Sequence, residues 1–150
     1  MTADDFPTPH TEPSPELERL ASIVVDAAFK VHSELGPGLL ENVYEVCLAH
    51  ELTKRGLRVQ RQVPVPVVYD GITFEVGFRI DLLIEDQLLV ELKAVEALLP
   101  VHKAQVITYL KLTNRHLAFL INFNVPLIKD GMKRVVSSFF APWRLSGSNP

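Results

Sequence analysis

Residues 79–95 read RIDLLIEDQLLVELKAV, and the fold can be worked out from this stretch. Two apolar runs flank the polar residues 85–87, a pattern that predicts two β-strands joined by a turn. The second run is apolar or small at nearly every position, which is typical of a strand buried on both faces. Because side chains alternate along a strand, Glu91 and Lys93 are expected to share one face of it.

The charged residues of these two strands are predicted to meet. If the turn centres on Asp86, Asp81 lies directly opposite Glu91, with the Cβ atoms about 4.5–5.5 Å apart; a centre shifted by half a residue would break this pairing. Two carboxylates this close repel unless a proton or a divalent cation lies between them. Mg²⁺ suits the position because it prefers oxygen ligands, and Lys93 would stabilise phosphate charge or orient water. A purely structural ion-pair network of these residues is the alternative.

Outside this stretch, the sequence predicts the order α-α-β-β-β-α-β-β, an α/β domain around a mixed sheet. Ser14 and Pro15 are typical of a helix start, Gly56 of a helix end, and Asp70-Gly71 of a hairpin turn. The expected segments are helices near 15–35, 39–55 and 101–112, and strands near 59–69, 72–84, 88–95, 117–123 and 132–140.

The composition is that of an ordinary globular domain, with 150 residues, 47% hydrophobic and 22% charged. A single cysteine excludes an internal disulfide and any multi-cysteine metal site. No apolar run approaches the roughly 18 residues of a membrane span, so we expect a cytoplasmic protein with no membrane partner. Residues 1–14 are acidic and proline-rich, which predicts a disordered tail. A folded domain is expected over residues 15–145, with a flexible end at 146–150.

The charge balance excludes nucleic-acid binding through bulk charge. The formal charge is −3, but residues 1–18 hold five acids and no base, so residues 19–150 carry +2 from 15 bases and 13 acids. Binding of a polyanion would therefore need a local basic patch or a metal ion.

Several short motifs occur in order along the chain. They are G-x-x-E-x-x-Y at 38–44, D-x(9)-E-x-K at 81–93, H-x-x-Q at 102–105, YLK at 109–111 and LINF at 120–123. Over about residues 18–137 this series resembles the GxxExxY protein family, a branch of the PD-(D/E)XK nuclease superfamily. One departure is Ile80, which stands where the superfamily loosely keeps a proline before the aspartate.

The resemblance implies a restriction-endonuclease-like core, and a nuclease that uses Mg²⁺ or Mn²⁺ to hydrolyse nucleic acid. DNA is the expected substrate. By analogy with other small nucleases of this type, the protein could form a homodimer. The implied catalytic residues are Asp81, Glu91, Lys93, Glu41 and Gln105. The implied metal ligands are Asp81, Glu91, Glu41 and the carbonyl of Leu92. Residues expected to support the site are Glu45, His102 and Tyr109.

Two alternatives remain open from the sequence. Glu41 and Glu45 lie four residues apart and share a helix face, so either could be the acid that the helix contributes. The whole domain could also be a non-catalytic nucleic-acid-binding or protein-interaction module that keeps the nuclease fold. The intact set of Asp81, Glu91 and Lys93 favours an enzyme, whereas the lack of a strongly basic surface favours such a module.

Overall fold

We describe residues 12–75 and 77–137 of the chain from a computed structural model. The helices are α1 (Pro15–Leu35), α2 (Glu41–Lys54), α3 (Pro100–Thr113) and α4 (Ile128–Gly131). The strands are β1 (Val59–Pro64), β2 (Val67–Tyr69), β3 (Ile72–Phe74), β4 (Arg79–Ile84), β5 (Leu88–Lys93), β6 (Leu117–Asn122) and β7 (Met132–Val136). The predicted α/β class, a mixed sheet flanked by helices, is confirmed.

The main sheet has the strand order β1-β4-β5-β6-β7, so that β5, with Glu91 and Lys93, is its central strand. Strands β5 and β6 are parallel and all other neighbours in this sheet are antiparallel. A parallel pair needs a crossover connection, and α3 provides it. Strand β1 lies at one edge, which is where a strand ending in a proline is tolerated.

Two apolar clusters hold the helices against opposite faces of the sheet. Leu82 and Val90 pack under α1 and α2, whereas Leu83 and Leu89 pack under α3. Each buried side chain of this size stabilises the fold by about 1.5–3 kcal/mol. Packing on both faces therefore holds strands β4 and β5 in place. The charged residues Asp81, Glu91 and Lys93 lie on these well-packed strands.

The turn between α1 and α2 positions the beginning of α2. The Ser14 hydroxyl caps α1 by accepting a main-chain hydrogen bond of 3.2 Å from the first turn, and Gly36 ends the helix at φ +68°, a conformation that favours glycine. The buried Tyr44 hydroxyl donates to the Gly36 carbonyl at 2.6 Å and accepts from the Leu39 N–H at 3.1 Å. These bonds fix the start of α2, and thereby Glu41.

The two predicted strands that flank the Asp70-Gly71 turn are each divided in two. Residues 59–69 form β1 and β2, because Pro64 and Pro66 lack the N–H that a continuous ladder needs. Residues 72–84 form β3 and β4, with Gly77 at φ +85° between them. Strands β2 and β3 consequently pair only with each other, as a separate two-stranded sheet.

The ends of the chain are described in part. Of the predicted tails, residues 1–11 and 146–150 lie outside the described residues, as do positions 138–140 of the predicted last strand. The short α4, which precedes β7, was not predicted.

Candidate active site

Asp81 and Glu91 lie where strands β4 and β5 separate. The strands pair Ile84 with Leu88 and Leu82 with Val90, which confirms the turn centred on Asp86. The pairing is not continued to the next position. Beyond it, carboxylate oxygens of the side chains accept the hydrogen bonds from the opposite strand.

Each carboxylate accepts a hydrogen bond from the opposite strand. The Asp81 N–H donates to Oε1 of Glu91 at 2.9 Å, and the Leu92 N–H donates to Oδ2 of Asp81 at 2.8 Å. Both acids are buried, with 9% and 4% of their surface exposed. Two carboxyl groups are therefore held between adjacent strands by the backbone itself.

Gln62 occupies the corresponding position on the other side of Asp81. The register of β1 and β4 pairs Arg61 with Leu82 and resumes beyond Gln62, which would otherwise face Asp81. Gln62 adopts φ +54°, a left-handed conformation that is uncommon and costly for this residue type. Its amide donates to Oδ1 of Asp81 at 3.2 Å and to Oε1 of Glu45 at 2.5 Å.

Helix α2 supplies two acids with different surroundings. Glu45 is buried, and its carboxylate accepts hydrogen bonds from the Arg61 guanidinium at 2.8 and 3.0 Å in addition to the bond from Gln62. Glu41 is the exposed first residue of the helix and has no hydrogen-bond or ion-pair partner among the described residues. The Glu45 carboxylate is thus occupied by hydrogen bonds to Arg61 and Gln62, whereas the Glu41 carboxylate is available to bind a ligand.

The acids of the site are short of positive charge. Burial, with a further contribution from Asp81, raises the pKa of Glu91 to about 8. Burial also raises the pKa of Asp81, with Glu45 adding to the shift, and partial burial together with Asp81 raises that of Glu41. The Lys93 ammonium opposes all three shifts. It is half-buried and makes no hydrogen bond or ion pair within the described part of the chain.

Helix α3 closes the site from the other face of the sheet. The Gln105 amide donates to the Tyr109 hydroxyl at 3.0 Å, and burial, then Glu91 and Asp81, raises the pKa of that hydroxyl. Tyr109 is only 4% exposed and belongs to the core under α3. Gln105 lines a groove of about 540 Å³, which Lys93 also lines.

His102 is the third residue of α3 that the sequence singled out, after Gln105 and Tyr109. Its Nδ1 accepts a hydrogen bond of 3.0 Å from the Leu99 N–H, so the proton of the neutral ring lies on Nε2. The side chain lines the groove that contains Lys93. It therefore caps the start of α3 and can also offer a donor to a molecule bound there.

A family model of the PD-(D/E)XK nuclease superfamily matches residues 18–135. The chain belongs to this superfamily. Membership supports a nuclease-like function, whereas assignment to the GxxExxY branch stays a prediction. No curated protein and no solved structure matched the chain. Within residues 12–75 and 77–137, no helix is both long and apolar enough to cross a membrane.

The oxygen donors of this superfamily member fit a hard divalent cation. Oε2 of Glu91 and the Glu41 carboxylate have no hydrogen-bond partner among the described residues, and Asp81 retains lone pairs beyond its two hydrogen bonds. In the described ranges, no three His, Cys, Asp or Glu side chains converge into a ready-made metal site. Mg²⁺ commonly binds through one or two carboxylates, with waters and substrate phosphate as its other ligands, so this donor set is adequate.

Proposed function

We propose that this protein is a Mg²⁺- or Mn²⁺-dependent nuclease that hydrolyses phosphodiester bonds of nucleic acid, with DNA as the expected substrate. The observation that carries the proposal is the placement of the Asp81 and Glu91 carboxyls between β4 and β5. Lys93 follows two residues further along β5 and has no ion-pair partner among the described residues. A purely structural network would be expected to pair this ammonium with a carboxylate. Here it interacts with the acids at longer range and stays available.

In this proposal Asp81, Glu91 and the carbonyl of Leu92 hold the cation, and Glu41 completes the set. A bound divalent cation would lower the pKa of a water molecule and neutralise phosphate charge. Gln62 would orient Asp81, because its amide already holds one carboxylate oxygen and is itself anchored by Glu45. Partners of this kind keep ligands in place and commonly affect metal affinity.

Lys93 and Gln105 would act on the substrate and the attacking water. The Lys93 ammonium has three N–H donors for a water or a phosphate oxygen, and its half-buried position strengthens these interactions compared with bulk water. The Gln105 side chain lines the same groove and would position the substrate or the water. The positive charge of Lys93 then lies where negative charge develops during the reaction.

The test is a cleavage assay in Mg²⁺ and in Mn²⁺ over single-stranded, duplex and branched DNA and RNA. We expect cleavage of at least one substrate that EDTA abolishes, and a loss of about 10²-fold or more in Lys93→Met. Lys30→Met is the matched control, because Lys30 lies on α1 in an ion pair with Glu51 and should not affect the rate. Absence of cleavage by the wild type, or equal rates for Lys93→Met and wild type, would favour the non-catalytic module instead.

A further inference from the structure

The three long helices differ in charge. Helix α1 carries four acids and two bases, and α2 carries three acids and one base. Helix α3 carries two lysines, Lys103 and Lys111, and no acid. Helix α3 covers the opposite face of the sheet from α1 and α2. The helices therefore contribute net negative charge to one face of the molecule and net positive charge to the other.

The ion pairs sharpen this difference. The cations with a carboxylate partner are Arg19, Lys30, Lys54, Arg55, Arg58, Arg61, Arg115 and Arg134. Those without one among the described residues are Arg79, Lys93, Lys103, Lys111, Lys129 and Lys133. Most of the paired group lies on α1 and α2 or bonds to them, so its charge is largely neutralised.

The unpaired cations lie mainly on the α3 side. Lys103 and Lys111 are exposed on α3 itself. On β7, Val135 packs into the core under α3, and strand alternation places the exposed Lys133 on the same face. The uncompensated positive charge is therefore concentrated on one face, although the whole chain is acidic.

The groove beside α3 connects this face with the candidate active site. It is lined by Lys93 on β5 and by exposed residues of α3 that include Ala104 and Thr108. Lys103 and Lys111 flank these positions along the helix. Their Cα atoms are separated by about 12 Å along the helix axis, from the rise of 1.5 Å per residue. This length spans several phosphates of a polynucleotide strand.

We propose that the α3 face, defined here as Lys103, Lys111 and Lys133, binds the phosphate backbone of a polynucleotide and guides it through the groove to Lys93. The proposal rests on the proposed nuclease function, because it supplies the substrate contacts that the acidic bulk charge cannot. A polynucleotide is favoured over an acidic peptide because the groove leads to a site suited to phosphodiesters. Contacts to phosphates position the polynucleotide without recognising its base sequence.

The test compares two double variants by fluorescence anisotropy in EDTA, so that cleavage plays no part. The α3 variant is Lys103→Gln with Lys111→Gln, and the control is Lys30→Gln with Lys54→Gln, which removes the same charge from cations paired with Glu51. The probe is a labelled 20-mer of DNA, as a single strand and as a duplex. For the form that the wild type binds, we expect the α3 variant to lose about tenfold in affinity at 50 mM salt. A plot of the logarithm of the association constant against the logarithm of the salt concentration should be less steep, its slope smaller in magnitude by about 1.4–1.8. The control should bind like the wild type.

Equal losses in the two variants, or no loss in the α3 variant, would overturn the α3 face as the binding surface, and so would absence of binding by the wild type. Hydrolysis of the small diester bis(p-nitrophenyl) phosphate by the wild type separates this outcome from failure of the proposed function, since so small a substrate does not reach along α3. Hydrolysis without a difference between the variants would leave the nuclease proposal standing alone. Selective loss in the α3 variant without hydrolysis would leave a polynucleotide-binding face without the proposed chemistry.

Discussion

Replacing Glu91 by glutamine should stabilise the metal-free protein, and increasingly so as the pH rises. The wild-type carboxyl is 4% exposed, and its pKa is raised from 4.5 to about 8, by burial first and by Asp81 second. A raised folded pKa contributes stability that is fully present below the unfolded pKa and is lost as the pH rises through the folded one. The window for this loss is therefore about pH 4.5 to 8.

The size of the effect follows from the shift. Each pKa unit corresponds to about 1.4 kcal/mol, which gives a ceiling of about 5 kcal/mol above pH 8 and a cost of about 3 kcal/mol already present near pH 7. Coupling to Asp81 will reduce this, but even about 1 kcal/mol would raise the melting temperature by about 4 °C in a domain of this size. In Glu91→Gln, the amide oxygen can still accept the hydrogen bond from the Asp81 N–H. The amide NH₂ would take the place of Oε2, which has no hydrogen-bond partner among the described residues.

The assay is urea unfolding in EDTA at several pH values from 5 to 9, with the difference in unfolding free energy between Glu91→Gln and wild type as the measured quantity. This difference should be near zero at pH 5 and grow up to about pH 8. Glu34→Gln is the control, because Glu34 is exposed on α1 and has no ion pair among the described residues; its difference should stay flat. A Glu91→Gln protein that is less stable than wild type at every pH would show that the buried charge is structurally compensated, and would refute this reasoning.

Three further variants test other parts of the structure. Lys93→Met should lower the metal-free stability by about 1 kcal/mol at pH 8, since the acids lose the cation that lowers their pKa values; an unchanged urea midpoint would contradict this. Gly131→Ala should cost about 3 kcal/mol, because a Cβ there would overlap the Asn122 carbonyl oxygen, and chemical denaturation showing less than about 1 kcal/mol would disprove the close packing. A shortened chain that begins at Ser14 should melt within about 1 °C of the full chain if the preceding residues bury little, whereas a drop of several degrees in calorimetry would show that they pack on the domain.

Local patterns predicted the parts of the site that depend on strand register and helix ends. The polar residues 85–87 indicated a turn, and a centre on Asp86 was the register considered; the pairs from Ile84–Leu88 to Leu82–Val90 have this centre. Ser14 marked the start of α1 for a similar reason, because capping depends on a few neighbouring residues. Proximity of Asp81 and Glu91 could be inferred because only a short hairpin separates them.

Features that depend on distant contacts could not be predicted. Gln62 reads as an exposed residue of an edge strand, and no local signal indicates its left-handed backbone or its bonds to Glu45 and Asp81. No local pattern shows that Arg61, from β1, donates to the Glu45 carboxylate. Tyr109 was expected only as a support of the site, and its burial in the core under α3 depends on packing against the sheet.

Binding of a divalent cation by the acids between β4 and β5 is the central claim, and calorimetric titration of the metal-free protein with Mn²⁺ at pH 8 tests it most directly. We expect one ion to bind with a dissociation constant in the millimolar range or tighter, and the melting temperature to rise with its concentration by mass action. Glu91→Gln, the variant expected to be stabilised in EDTA, should lose most of the heat and most of the thermal shift. No binding of Mn²⁺ at millimolar concentration by the wild type, or undiminished binding by Glu91→Gln, would contradict the claim.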